Sequence, residues 1–109
     1  MERKRLDLST ERDLKIYMDP LRQRMLRTMA VIGAPVTARK LSTAMHITPA
    51  AAKHHLLRLE SIGLVGAHHT EEIHGITATY YALLPVDVRI GMEKETYRVE
   101  KNLIAENML

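Results

Sequence analysis

The chain has 109 residues, 46% hydrophobic and 27% charged, with no Cys, Trp or Phe, which suits one globular domain whose core is built from Leu, Ile, Val, Ala and seven Met. No run reaches the roughly 18 apolar residues of a membrane span, MERKRLDLSTERDLK holds no signal-peptide core, and the lack of cysteine excludes disulfides, thiolate metal sites and thiol nucleophiles. The net charge of +3 is uneven: residues 20–65 hold Arg22, Arg24, Arg27, Arg39, Lys40, Lys53 and Arg58 against Glu60 alone, a net of +6, while residues 66–109 carry −3.

The first helix is expected from about Thr10 to Met18, capped by Ser9 or Thr10, with Leu14 and Tyr17 or Met18 on its apolar side. Asp19-Pro20 then supplies a cap and a proline at the first position of a second helix. That helix carries Leu21, Met25, Met29 and Ile32 at helical spacing, with its arginines facing away, and stops at GAP. Thr37 caps a short third helix whose apolar side is Ala38, Leu41, Ala44 and Met45. After His46-Ile47-Thr48, the pair Thr48-Pro49 starts a fourth helix that ends near Gly63. Two helices joined by three residues make a helix-turn-helix.

At 100° per residue the fourth helix turns Ala52, Leu56 and Leu59 to one face, with His55 on its border, and Ala50, Lys53, His54, Leu57 and Ser61 to the other. An outward face that is small near the N-terminus and basic one turn later suits a major groove. Ala50 would lie near a thymine methyl, and Lys53 and His54 near base edges or phosphates. LVGAHHT and TATYYALL are β-rich runs around EEIHGI, with a His-Gly pair suited to positive φ, so they form a two-stranded wing onto which Tyr80 or Tyr81 returns. Its tip is read as Glu71-Glu72. Past Pro85, the alternation of Val86, Val88 and Ile90 suggests a short strand. From Glu93 to Met108, Thr96, Val99 and Leu103, widened by Tyr97 and Ile104, give a helix too apolar for one small domain to cover. The expected organisation is mainly α with a small β-hairpin wing. Residues 1–84 form a winged helix-turn-helix with its N-terminal helix, and residues 85–109 a strand or linker followed by a dimerisation helix.

DPLRQRMLRTM, VTARKLSTAMHITPAAAKHHLLRLESIGLV and TYYAL, in this order over residues 17 to 84, resemble the ArsR-type winged-helix transcriptional regulators. The resemblance implies a cytoplasmic homodimeric regulator of double-stranded DNA, most often a repressor. It puts Thr48, Ala50, Lys53 and His54 towards DNA, and His55, Leu56 and Leu59 inward. Arg39, Lys40 and Arg58 of the basic segment, and His68, His69 and His74 on the wing, complete the candidate DNA-binding set. Two departures remove the family's metal sites: ARKLSTAM has no cysteine, and EKETYRVEKNLIAENM has no histidine. No cofactor or metal is expected, and no effector can be named.

Two other functions compete. His68, His69 and His74 with Glu71 or Glu72 have metal-ligand chemistry, but adjacent strand residues point to opposite faces, which separates His68 from His69. A winged helix can also serve as a protein-interaction module, the basic segment then being incidental. An enzyme is not expected, because the chain has no glycine-rich phosphate loop, no Ser/His/Asp grouping and no paired carboxylates in a cleft.

Overall fold

The computed structural model describes residues 2–91; the expected dimerisation helix lies outside them. In chain order the elements are β1 (Lys4–Leu8), α1 (Glu11–Met18), α2 (Pro20–Ile32), α3 (Ala38–Met45), α4 (Pro49–Ser61), β2 (Val65–Ile73), β3 (Ile76–Leu83) and β4 (Val86–Ile90). This is a winged helix. No helix among the described residues is long and apolar enough to cross a membrane.

Every helix among the described residues starts on a side-chain oxygen that takes an orphan backbone N–H. Thr10 accepts from Asp13, Thr37 from Lys40 and Thr48 from Ala51, at 3.0, 3.1 and 3.0 Å. Asp19 accepts from both Leu21 and Arg22, at 2.9 and 3.1 Å. Helix ends are equally explicit. After α4, Gly63 takes φ +85, its N–H bonds Glu60 O, and Leu64 N–H reaches back to Leu59 O, a Schellman motif. After α3, His46 takes φ 56 and Ile47 N–H bonds Ser42 O in the same way.

Met25, Leu41, Ala52, Leu56 and Leu59 are fully buried, and Met29, Met45, Val36, Ile62, Leu64, Val65 and Tyr81 surround them. The buried face of α4 is the expected one. Elsewhere the expected stripes shift by a residue or so. Ile16 is buried on α1 while Met18 is exposed, Ser42 replaces Ala44 on α3, and Ile32 is exposed at the end of α2. These are short helices or helix ends, where the core covers less than a full turn.

β2 and β3 form the antiparallel wing, anchored at its base where Val65 pairs with Leu83 and where Val36 and Tyr81 exchange backbone hydrogen bonds of 2.9 and 2.7 Å. Its tip is His74-Gly75, with φ 51 and 79, the positive values of a two-residue hairpin turn. The carboxylates Glu71 and Glu72 therefore lie on β2, short of the tip. β4 confirms the strand expected after Pro85. Its partner was not anticipated: β1 lies parallel beside it, Lys4 opposite Val86 through Leu8 opposite Ile90. Leu8 is buried in the core, and Leu6 lies 3.3 Å from where a Cβ on Gly63 would stand, so the pair closes over the end of α4.

The α1–α2 corner is a polar joint. Arg22 Nη1 donates to Ile16 O at 3.2 Å and Gln23 Nε2 to Tyr17 O at 2.6 Å, so α2 side chains satisfy the last carbonyls of α1. Arg24 does the same for Met45 O of α3. The arginines of α2 thus do not all face solvent. The backbone N–H of Arg22 holds the Asp19 carboxylate below its ordinary range, aided by the Arg22 charge and opposed by burial. Burial, then the charges of Arg22 and His54, push the His55 imidazole down, with Asp19 opposing.

Two expectations follow. Leu8→Ala should lower the unfolding free energy by about 2 to 5 kcal/mol in urea titration, whereas Arg3→Ala, which removes an exposed ion pair to Asp87, should cost less than about 1 kcal/mol; equal losses would mean that β1 is held by its charges. Both Asp19 and His55 have folded pKa values below their unfolded ones, so the unfolded chain binds more protons and stability rises with pH. Urea midpoints should fall as pH drops below about 6.5 through His55 and again below about 4 through Asp19. His55→Gln should remove the first decline and Asp19→Asn the second; a midpoint constant from pH 7.5 to 5 would contradict the His55 assignment.

Candidate nucleic-acid interface

The inward packing of Ala52, Leu56 and Leu59 turns the opposite face of α4 to solvent. Thr48, Ala50, Lys53, His54 and Leu57 are all exposed there. The Thr48 hydroxyl is occupied by its cap bond, and the His54 ring meets His55 edge-on at 5.2 Å. Lys53 is not a free cation: its Nζ donates to Tyr81 Oη at 2.8 Å and lies 5.1 Å from the Tyr81 ring centroid. The wing strand therefore steers the lysine of α4 towards the groove between them.

Arg39 and Lys40 are exposed on the first turn of α3. Lys40 Nζ stands 5.9 Å from the centroid of Tyr80, and Arg39 shares a crevice of about 250 Å³ with Thr37, Ile73, His74, Ile76 and Ala78 of the wing. Arg39, Lys40 and Lys53 thus all face the wing, the two lysines beside Tyr80 and Tyr81 and the arginine nearer its tip. Arg58 is separate. It lines a crevice with Arg12, Lys15 and Arg22 on the α1–α2 side.

The wing histidines occupy different environments. His74 is exposed at the tip. His68 and His69 were expected on opposite faces, but a bulge between Ala67 and His69 breaks the alternation. Their rings meet at 5.0 Å, with Nδ1 to Nδ1 at 2.7 Å, and His69 Nε2 lies 2.8 Å from Glu71 Oε2. The chain of bonds makes His69 Nε2–H the donor to Glu71 and leaves its Nδ1 to accept from His68. His69 also stacks on Tyr80, centroids 4.5 Å apart. Both nitrogens of His69 thus point to different partners and the three side chains do not converge on one point; among the described residues no group of three or more His, Asp or Glu could hold a metal ion. Glu72 accepts from Thr77 Oγ1 at 2.6 Å, so each wing carboxylate has a partner.

Residue-type reasoning found the outward face of α4 but missed what organises it. Nothing in the spacing of Lys53 and Tyr81, 28 residues apart, signals their bond. Likewise Arg22 and Arg24 count towards the +6 segment but are committed to backbone carbonyls.

No protein-family model matches the chain, and no curated protein matches it in sequence. Solved structures do match in shape. A domain of the Mycobacterium bovis protein Mb0332, described as a homodimeric winged helix-turn-helix DNA-binding domain of a possible ArsR-family transcriptional regulator, is 20% identical with a TM-score of 0.56 over 90% of this chain and 79% of that one. The transcriptional regulator HlyU of Vibrio vulnificus is 21% identical with a TM-score of 0.48, over 84% and 80% of the two chains. At these identities, the likeness to the Mb0332 domain establishes the winged helix-turn-helix fold of this chain.

Proposed function

We propose that this protein is a sequence-specific, double-stranded DNA-binding transcriptional regulator of the ArsR type, a cytoplasmic repressor that acts as a homodimer. The observation that carries the reading is the exposed α4 face bearing Ala50, Lys53 and His54, flanked by Arg39 and Lys40 beside the wing. α4 enters the major groove, with Ala50 against a thymine methyl and Lys53 and His54 at base edges or phosphates. Arg39, Lys40 and the helix N-termini at Thr37 and Thr48 take backbone phosphates. The wing lies along the flanking backbone, where His74 is its most forward polar group. Residues 1–84 do the binding, and residues 85–109, which include β4, supply the dimerisation segment. A two-fold arrangement fits this role, because two recognition helices must reach successive major grooves. The Mb0332 domain, similar in fold, is described as a homodimer that binds DNA.

With about three or four phosphate contacts per subunit, the affinity of a dimer for duplex DNA should fall with a log-log salt slope of roughly −5 to −7. Fluorescence anisotropy over a salt series checks this, and a slope near zero would overturn the reading. Lys53→Ala should weaken binding to a preferred duplex by about 1 to 3 kcal/mol if its ammonium reads a base. Tyr81→Phe, which keeps the ring and removes the hydroxyl that aims Lys53, should move binding in the same direction by less. Parental affinity in Lys53→Ala would remove this side of α4 from the interface.

A further inference from the structure

The crevice containing Arg58 has a different character from the DNA-facing surface. It has a volume of about 440 Å³ and is lined by Glu11, Arg12, Lys15 and Ile16 of α1, Arg22 of α2 and Arg58 of α4. Four cations thus surround one carboxylate. Two of them are locally balanced, Lys15 by Glu11 at 3.2 Å and Arg12 by Asp13 at 3.2 Å. Arg22 is paired with Asp19, so of the four Arg58 alone lacks a carboxylate partner among the described residues. Arg22 stands 3.8 Å from Asp19, and its side chain is only 12% exposed. Its Nη1 is used by Ile16 O, but its Nε is fully buried and has no hydrogen-bond partner among the described residues. A buried guanidinium donor without an acceptor is costly to keep, and the same guanidinium lines the crevice beside Arg58, where an oxyanion would meet both cations.

We propose that this crevice binds the phosphoryl group of a small phosphorylated metabolite. Guanidinium groups recognise the tetrahedral oxyanion through paired N–H donors, and two of them against a dianion match charge better than against a single carboxylate. The crevice is open and leaves room beyond the phosphate, along the stem of Lys15, for a sugar-sized group. Arg22 is recessed between α1 and α2, so a free ligand reaches it more readily than the broad backbone of a duplex.

Arginine Nε–Hε NMR signals of the full chain, titrated with inorganic phosphate and with ribose 5-phosphate at constant ionic strength, test the proposal. The Arg22 and Arg58 signals should shift saturably, and ribose 5-phosphate should bind more tightly than phosphate. Arg58→Gln, an exposed change with no structural partner, should weaken both by about tenfold, while Lys53→Ala leaves them as in the parent. Linear shifts that chloride reproduces, or equal saturation in Arg58→Gln, would overturn the site. Ribose 5-phosphate no tighter than phosphate would overturn its assignment to a metabolite. Repeating the titration with saturating duplex DNA separates the two sources of phosphate: a response that persists supports a small ligand, and one abolished by the duplex assigns the crevice to the DNA backbone. If the chain binds no duplex, the titration without DNA still decides the site, and only the regulatory function fails.

Discussion

The reading surface depends on how α4 is held against α3, and three residues do this. His46 turns the chain by adopting the left-handed conformation that costs a non-glycine residue about 1 kcal/mol, Ile47 N–H closes the end of α3 on Ser42 O, and the Thr48 hydroxyl opens α4. That angle lets Ala52, Leu56 and Leu59 reach a core of Met25, Leu41 and their neighbours in a chain without Phe or Trp. Burial of this face then leaves Ala50, Lys53, His54 and Leu57 in solvent together. The burial stabilises the fold, and the exposed residues are its consequence.

The positive charges divide into two populations. Arg24 is used in construction, capping the end of α3, while Arg22 both caps the end of α1 and lines the crevice beside Arg58. Lys40 and Lys53 stand by Tyr80 and Tyr81, and Arg39 faces the wing residues Ile73, His74, Ile76 and Ala78. Arg58 is separate, facing α1.

How much of this was legible follows from the range of the interactions. Caps and helix stops are written within four residues, so Thr10, Asp19, Thr37, Thr48 and Gly63 could be read directly, as could the inward and outward faces of α4. The His-Gly turn is legible for the same reason, although the tip read on the carboxylates Glu71-Glu72 lies three residues before the observed one at His74-Gly75. The β1–β4 pair was not legible. Its partners lie 82 residues apart, and KRLDL has too few apolar residues to announce a strand before its neighbour is known. The bulge at Ala67/His69 was equally hidden: a strict two-residue alternation predicts His68 and His69 apart, and only the register against β3 shows them together. The recessed position of Arg22 depends on where α1 ends above it, which no spacing within α2 reveals.

The wing adds shape more than charge. Its carboxylates are held by His69 and Thr77, and its exposed tip carries His74 between Ile73 and Ile76. On the proposed function, discrimination between DNA sequences is thereby left to α4. Selection of bound duplexes from a random-sequence pool, followed by sequencing, tests that claim most directly. The account predicts enrichment of a two-fold symmetric motif whose half-sites are centred about one helical turn apart, roughly 10 base pairs, and the loss of that enrichment in Lys53→Ala. A bound pool indistinguishable from the input, or the same motif recovered by Lys53→Ala and His54→Ala alike, would contradict it.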